Sequence, residues 1–227
     1  MARRPQTNPR KIASQKRSRL TVDALLEATA RILVKDGYDG ASTNRIAATA
    51  GVSIGSLYQY FPGKDALVAG VIDRHTQELM QVGRDAFLKV AAQPIDIAVR
   101  ELVAAGINGH RVDPKLHRVL SEEIPRTGGR GANIDSVQQS GRAFLRGYLE
   151  AHRDEIDIAD PDLAAFILVT TVEALTHSAV LRRPDFLTDE KVEGFIDEVA
   201  RLVLRYLRAP SSRRRSSRAG ARATIDA

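Results

Sequence analysis

The 227-residue sequence contains no cysteine and no tryptophan. Without thiols there is no disulfide framework, no thiolate nucleophile, no iron–sulfur cluster and no cysteine-type zinc site, a composition that fits a reducing compartment. Aromatic residues are scarce at 5%, and 16 glycines and 9 prolines are too few for a collagen-like or low-complexity chain. Long apolar runs are missing as well. The longest, Ala164 to Val169, is too short to span a bilayer, and the charged N-terminus lacks the apolar stretch of a secretory signal. With no Asn-x-Ser/Thr acceptor in addition, the expectation is a cytoplasmic protein with no membrane partner. What is present is ordinary for a globular protein: 43% hydrophobic and 27% charged residues in a length that suits one large or two small domains.

Negative charge is nearly absent from the ends. Arg3, Arg4, Arg10, Lys11, Lys16, Arg17 and Arg19 precede residue 21 with no acid among them, and Arg213, Arg214, Arg215, Arg218 and Arg222 near the other end face only Asp226. The net charge of +6 therefore sits on the two ends of an acidic body. Basic ends are either solvated, disordered tails or arms that contact a polyanion. Residues 1–19 are expected to form a disordered basic arm and residues 209–227 a disordered basic tail.

Between the ends, strand alternation is absent and apolar residues recur at spacings of three and four. The sequence thus predicts an all-α protein of about nine helices. Val22, Leu25, Leu26, Thr29, Ile32 and Leu33 form one stripe, with Thr21 placed to cap the helix and Gly37 to end it. Two short helices follow, Ser42 to Ala50 and Ser53 to Phe61, separated by Gly51 and Val52, with Pro62-Gly63 as a stop. Longer helices are expected from Lys64 to Val90, Ile95 to His110, Pro114 to Ile124, Asn133 to Asp154, Pro161 to Leu181 and Thr188 to Arg208, with a glycine-rich loop over Arg126 to Ala132. A boundary falls near residue 66, so residues 20–66 form one domain and residues 67–208 a larger one. The helix across that boundary joins them without a linker.

The two short helices make either a tight corner of a helical core or a helix-turn-helix whose second helix enters the major groove. If Leu57 and Phe61 face the core, then Ile54, Gly55, Ser56, Gln59 and Tyr60 lie on the other side or its margins. Small side chains at Gly55 and Ser56 permit close backbone approach, and Gln59 can both donate to and accept from a base edge. The hydroxyls of Tyr58 and Tyr60 reach phosphate oxygens, and the helix starts at Ser42, Thr43 and Lys64 offer amides to anions. The pattern as a whole favours the helix-turn-helix. An amphipathic helix, the Ser42-Thr43 cap, the Ala50-Gly51-Val52-Ser53 turn and the run Leu57-Tyr58-Gln59-Tyr60-Phe61-Pro62-Gly63-Lys64 occur in order within one N-terminal segment.

From about Leu20 to Leu67, roughly a fifth of the chain, this string resembles the tetracycline-repressor (TetR) family of transcriptional regulators. The resemblance implies that Thr43, Ser53, Tyr58, Tyr60 and Lys64 contact phosphates and that Asn44, Ile54, Gly55, Ser56 and Gln59 lie near bases. It also implies a homodimer through the last two helices, a double-stranded DNA operator as partner and a small-molecule effector bound by the larger domain. Gly63 departs from the Ser or Asn that the family often places before the lysine, and glycine is also an acceptable cap.

The larger domain carries no nucleophile elbow, phosphate-cradling loop or paired-carboxylate motif, so no catalytic residue, metal or cofactor is expected. Glu173 and His177 share a face, with His110 and His117 elsewhere, but there is no His-Glu-x-x-His spacing, and such pairs are ordinarily plain contacts. The helix Pro161–Leu181 is apolar on more than one side, as is the last helix through Val192, Phe195, Ile196, Val199, Leu202, Val203 and Leu207. Each meets either a broad core or a core and a partner subunit, and on the latter reading glutamate at Val199 or Val203 favours monomers. Phe87, Leu102, Leu120, Phe144, Tyr148, Phe166 and Thr170, with Glu173 or His177 as polar anchor, are the effector-pocket candidates, each of them also readable as plain core. The sequence is read as a ligand-responsive regulator that acts as a repressor. The alternatives are an all-α enzyme and a DNA-binding protein without an effector.

Overall fold

A computed structural model describes residues 16–122 and 130–209. The expected basic tail after Ala209, most of the N-terminal arm and the glycine-rich stretch 126–129 lie outside the described residues. Nine α-helices and no strand occur among the described residues: α1 (Lys16–Asp36), α2 (Thr43–Ala50), α3 (Ile54–Tyr60), α4 (Lys64–Val90), α5 (Ile95–Arg111), α6 (Pro114–Glu122), α7 (Arg130–Ala151), α8 (Pro161–Arg182) and α9 (Val192–Arg208). A short 3-10 turn, Pro184–Leu187, joins the last two.

Three helices differ from expectation in their bounds. α1 begins at Lys16, not after Thr21, because Lys16 to Leu20 holds good helix formers and no breaker. The basic arm is therefore helical from Lys16 onward. α7 spans Arg130–Ala151 instead of 133–154. α9 starts at Val192, since Thr188 follows the 3-10 turn and its carbonyl accepts from the Lys191 and Val192 N–H groups; it does not cap a helix that starts beside it.

The helices form two compact units. The first contains α1 to α3, α4 as far as Met80, and the segment Asp113–Val137. Leu25, Leu33, Ile46, Leu57, Phe61, Leu67 and Val71 are almost wholly buried there, and Leu116, Val119 and Leu120 of α6 join the same core. This compact unit runs along α4 to Met80, and α6 buries its apolar face in the same core as α1. Burying each of these large side chains contributes about 1.5–3 kcal/mol, so a helix as short as α3 is held by packing rather than by its own propensity.

The second unit gathers Val90, Val99, Val103 and Ile107 with Leu149, Ala165, Leu168, Val180, Ile196, Val199, Val203 and Leu207. Asp160 caps α8 by accepting from the Asp162 and Leu163 N–H groups at 2.9 and 3.2 Å, with Pro161 at the first helical position. α9 turns its stripe of Val192, Ile196, Val199, Val203 and Leu207 fully into this core. Val199 and Val203, each 4% exposed, are consequently core residues and not partner-facing ones. α8 differs: Ala164, Ala165, Leu168, Thr176, Ala179 and Val180 are buried, while Leu163 and Phe166 are about half exposed at 53% and 50%. α8 has the length and apolar composition to cross a membrane, a third of its most apolar window being buried within the unit.

Candidate nucleic-acid interface

α2 and α3 are two short helices set by their caps. The Ser42 hydroxyl accepts from the Arg45 N–H at 3.3 Å, fixing the start of α2. Gly51 closes α2 with φ 68°, a left-handed conformation that glycine adopts without strain, and its N–H together with that of Val52 satisfies the carbonyls of Ala48 and Ala47. Ser53 then caps α3, accepting from the Ser56 N–H at 3.1 Å, with the two serine hydroxyls 2.9 Å apart. Ser42 and Ser53 thus serve as helix caps, whatever further contact their hydroxyls make.

The two faces of α3 separate cleanly. Leu57, Tyr60 and the following Phe61 are buried, whereas Ile54, Gly55, Tyr58 and Gln59 are exposed and Ser56 is half-buried. The expectation for Tyr60 is corrected here. Only 8% exposed, it follows Leu57 by three positions on the same stripe, so its ring belongs to the core. On α2, Asn44 is exposed and Thr43 half-buried, with the Thr43 hydroxyl 3.1 Å from that of Tyr58. That bond ties the start of α2 to the outer side of α3. The result is a small polar surface with a bidentate amide at Gln59 and hydroxyls beside it, which suits base edges and phosphates.

Five further residues, Asp36, Tyr38, Gly40, Arg45 and Asp65, frame this surface, and the sequence assigns a role to none of them. Arg45 pairs with Asp36 at 2.6 Å and donates to the Gly40 carbonyl at 3.1 Å, which holds the end of α1 against α2. Gly40 tolerates no side chain: a Cβ there would stand 2.5 Å from the Asp36 carbonyl oxygen. Tyr38, in the α1–α2 turn, donates its hydroxyl to Asp65 Oδ1 at 2.5 Å. Burial, then the Asp65 hydrogen bond and the charges of Asp65 and Asp39, push its hydroxyl up to about 12, so it remains a donor throughout the physiological range. The Lys64 ammonium donates to the Tyr38 carbonyl at 3.1 Å and lies 3.9 Å from the centroid of its ring. Only the half-apolar turn sequence Gly37-Tyr38-Asp39-Gly40 signals these contacts in advance, and it does not say to what Tyr38 binds.

In the second unit the pocket candidates divide. Phe87, Phe144 and Tyr148 come together, with ring centroids 5.3 and 6.2 Å from Phe87. Tyr148 donates to the Gln93 carbonyl at 2.7 Å and stacks on His152 at 4.1 Å. Burial and the Glu155 charge push its hydroxyl up to about 12. Leu102 packs partly buried on the same core. Phe166 instead lies 5.8 Å from the Arg142 guanidinium, which pairs with Asp162, and Thr170 is exposed. Glu173 and His177 are half-buried, and the His177 ring meets that of His110 at 5.2 Å. Leu120 drops out, being part of the first unit's core. A cleft of about 380 Å³ is lined by Val82, Asp85, Lys89, Glu101, Ala104 and Asn108 among others, and none of the pocket candidates lines it.

A helix-turn-helix whose second helix shows a polar outer face, followed by a separate helical unit, defines a DNA-binding transcriptional regulator with a sensor part. Comparison with known proteins agrees. Residues 25–71 match the model for bacterial regulatory proteins of the tetR family, and residues 94–207 that for the tetracyclin repressor-like C-terminal domain. The chain belongs to the tetracycline-repressor family and is a ligand-responsive transcriptional regulator. It is 29% identical over 193 residues to the HTH-type transcriptional regulator PksA of Bacillus subtilis, spanning 76% of this chain and 83% of that one. With the HTH-type transcriptional repressor KstR of Rhodococcus jostii it shares 31% over 137 residues, 60% and 63% of the two chains. Among solved structures, the fatty acid degradation regulator FadR from Bacillus halodurans superposes with a TM-score of 0.64 at 20% identity, covering 81% of this chain and 94% of that one. The TetR family regulator PfmR from Thermus thermophilus gives 0.61 at 19%, covering 80% and 97%. These relatives are regulators of transcription, not enzymes.

Proposed function

We propose that the chain is a cytoplasmic repressor that binds a palindromic operator as a homodimer and is released by a small apolar effector. The observation that carries the reading is the sidedness of α3: Leu57, Tyr60 and Phe61 anchor it while Gly55, Ser56, Tyr58 and Gln59 face outward. In this reading Asn44, Ile54, Gly55, Ser56 and Gln59 meet base edges, and Ser42, Thr43, Ser53, Tyr58 and Lys64 meet phosphates. Two copies place two α3 helices in successive major grooves, about 34 Å apart. The half-exposed Leu163, Phe166 and Leu202 of α8 and α9 support a two-fold interface through those helices, since apolar side chains of that size gain by leaving water.

The effector sits against the Phe87, Phe144 and Tyr148 rings. Its binding favours a dimer conformation whose α3 helices no longer match the grooves, so operator affinity falls. The chain performs no chemistry of its own. A footprint on DNA fragments selected by the purified protein tests the reading: protection of an inverted repeat by two copies is expected, and sequence-indifferent binding overturns it. Release from that operator by apolar acids, fatty acyl compounds among them, then tests the effector class, and loss of release in Phe144→Ala locates the site.

A further inference from the structure

Tyr38 makes three contacts that all converge on the first turn of α4. Its hydroxyl donates to Asp65 Oδ1 at 2.5 Å, its carbonyl accepts from Lys64 Nζ at 3.1 Å, and its ring lies 3.9 Å below the same ammonium. A lysine ammonium carries three donors on a flexible four-carbon stem. One donor is taken by the Tyr38 carbonyl, which leaves two for an anionic oxygen. A cation held over an aromatic face keeps its charge and loses less freedom when a phosphate arrives than one that swings in water. The nearest acid in sequence, Asp65, is already engaged by the Tyr38 hydroxyl, and no ion pair among the described residues includes Lys64. The tyrosine therefore orders the lysine and occupies its natural competitor.

We propose that Tyr38 is a positioning residue for operator binding, holding the Lys64 ammonium on its ring face and carbonyl in place for a DNA phosphate. The inference rests on the reading of α2 and α3 as the operator-binding element with Lys64 as one of its phosphate contacts. Tyr38 itself touches no DNA in this account.

The test measures operator affinity of the full chain against salt for the wild type, Tyr38→Phe, Tyr38→Met, Lys64→Ala and the Tyr38→Met/Lys64→Ala double variant. Tyr38→Phe keeps the ring but frees Asp65 to compete for the ammonium, and is expected to flatten the slope less than Tyr38→Met does. Tyr38→Met keeps apolar volume without a π face, and both it and Lys64→Ala should flatten the log-affinity against log-salt slope by about 1.8, about 0.9 for each copy in the dimer, equivalent to about thirtyfold weaker binding at 0.15 M salt. The double variant should bind no more weakly than Lys64→Ala alone. A wild-type slope in Tyr38→Met beside a flattened one in Lys64→Ala, or losses that add in the double variant, overturns the role of Tyr38 and leaves the operator reading standing. An unchanged slope in Lys64→Ala removes the phosphate contact and the proposal with it. If Tyr38→Met does not fold, proton spectra of the DNA-free wild type decide. Upfield ring-current shifts of the Lys64 Cε protons are expected, and their absence overturns the proposal.

Discussion

The two units expose opposite kinds of side chain. Around α3 the first unit shows the solvent Gly55, Tyr58, Gln59, the half-buried Ser56 and a single aliphatic side chain, Ile54, while α8 and α9 of the second show Leu163, Phe166 and Leu202, each about half exposed. Both surfaces are built on helices anchored by a well-buried stripe, so the difference lies only in what the outer face offers. A polar, small-residue face can exchange water for base edges and phosphates. A large apolar face gains only by meeting another apolar surface. In the proposed reading the first unit meets nucleic acid and the second a second copy of the chain.

The comparison breaks most sharply within α9. Val203→Glu places an unpaired charge in the second unit's core and should destabilise by on the order of 4 kcal/mol or more, seen as loss of the cooperative thermal transition. One position earlier, Leu202→Glu acts on the exposed side. It should leave the melting temperature within a few degrees and weaken the dimer by about 2–4 kcal/mol, read by sedimentation across a concentration series. If both variants unfold alike, the outer side of α9 is not a surface, and the contrast between the units fails.

A smaller effect is expected at high pH. The hydroxyl of Tyr148 is raised to about 12, so its neutral form stabilises the fold. That contribution is fully present below the ordinary tyrosine value near 10 and is lost as pH rises through the folded value. Wild-type stability should decline between about pH 10 and 12 by up to about 2–3 kcal/mol relative to Tyr148→Phe, measured by urea unfolding at each pH. Equal pH profiles for the two proteins would contradict the burial of this hydroxyl.

On the polar side, Gln59→Ala should cost about 1–3 kcal/mol on the preferred operator and narrow the gap to a mutated operator, because a base contact carries sequence information. Titrations with both DNAs at one salt concentration check it. Equal loss on both would reassign Gln59 to the phosphate backbone and would blur the distinction drawn for α3.

The amino-acid sequence by itself determined the helical class, the places of α2 and α3 and the outward set at Ile54, Gly55, Ser56 and Gln59. Caps, glycine stops and apolar spacing act within a few residues, so Ser42, Gly51, Ser53 and Pro62 punctuate the chain wherever it folds. Only the tertiary structure decided which of several apolar residues on one helix meets the core. Tyr60 went inward beside Leu57, Val199 and Val203 proved to be core while Leu202 did not, and Leu120 joined the first unit. The contacts of Tyr38 with Lys64 and Asp65, separated by 26 and 27 positions, and of Arg45 with Asp36 likewise arise between elements. Periodicity records that a helix has an apolar side, but burial is settled by partners distant in sequence, and those partners exist only once the helices have packed.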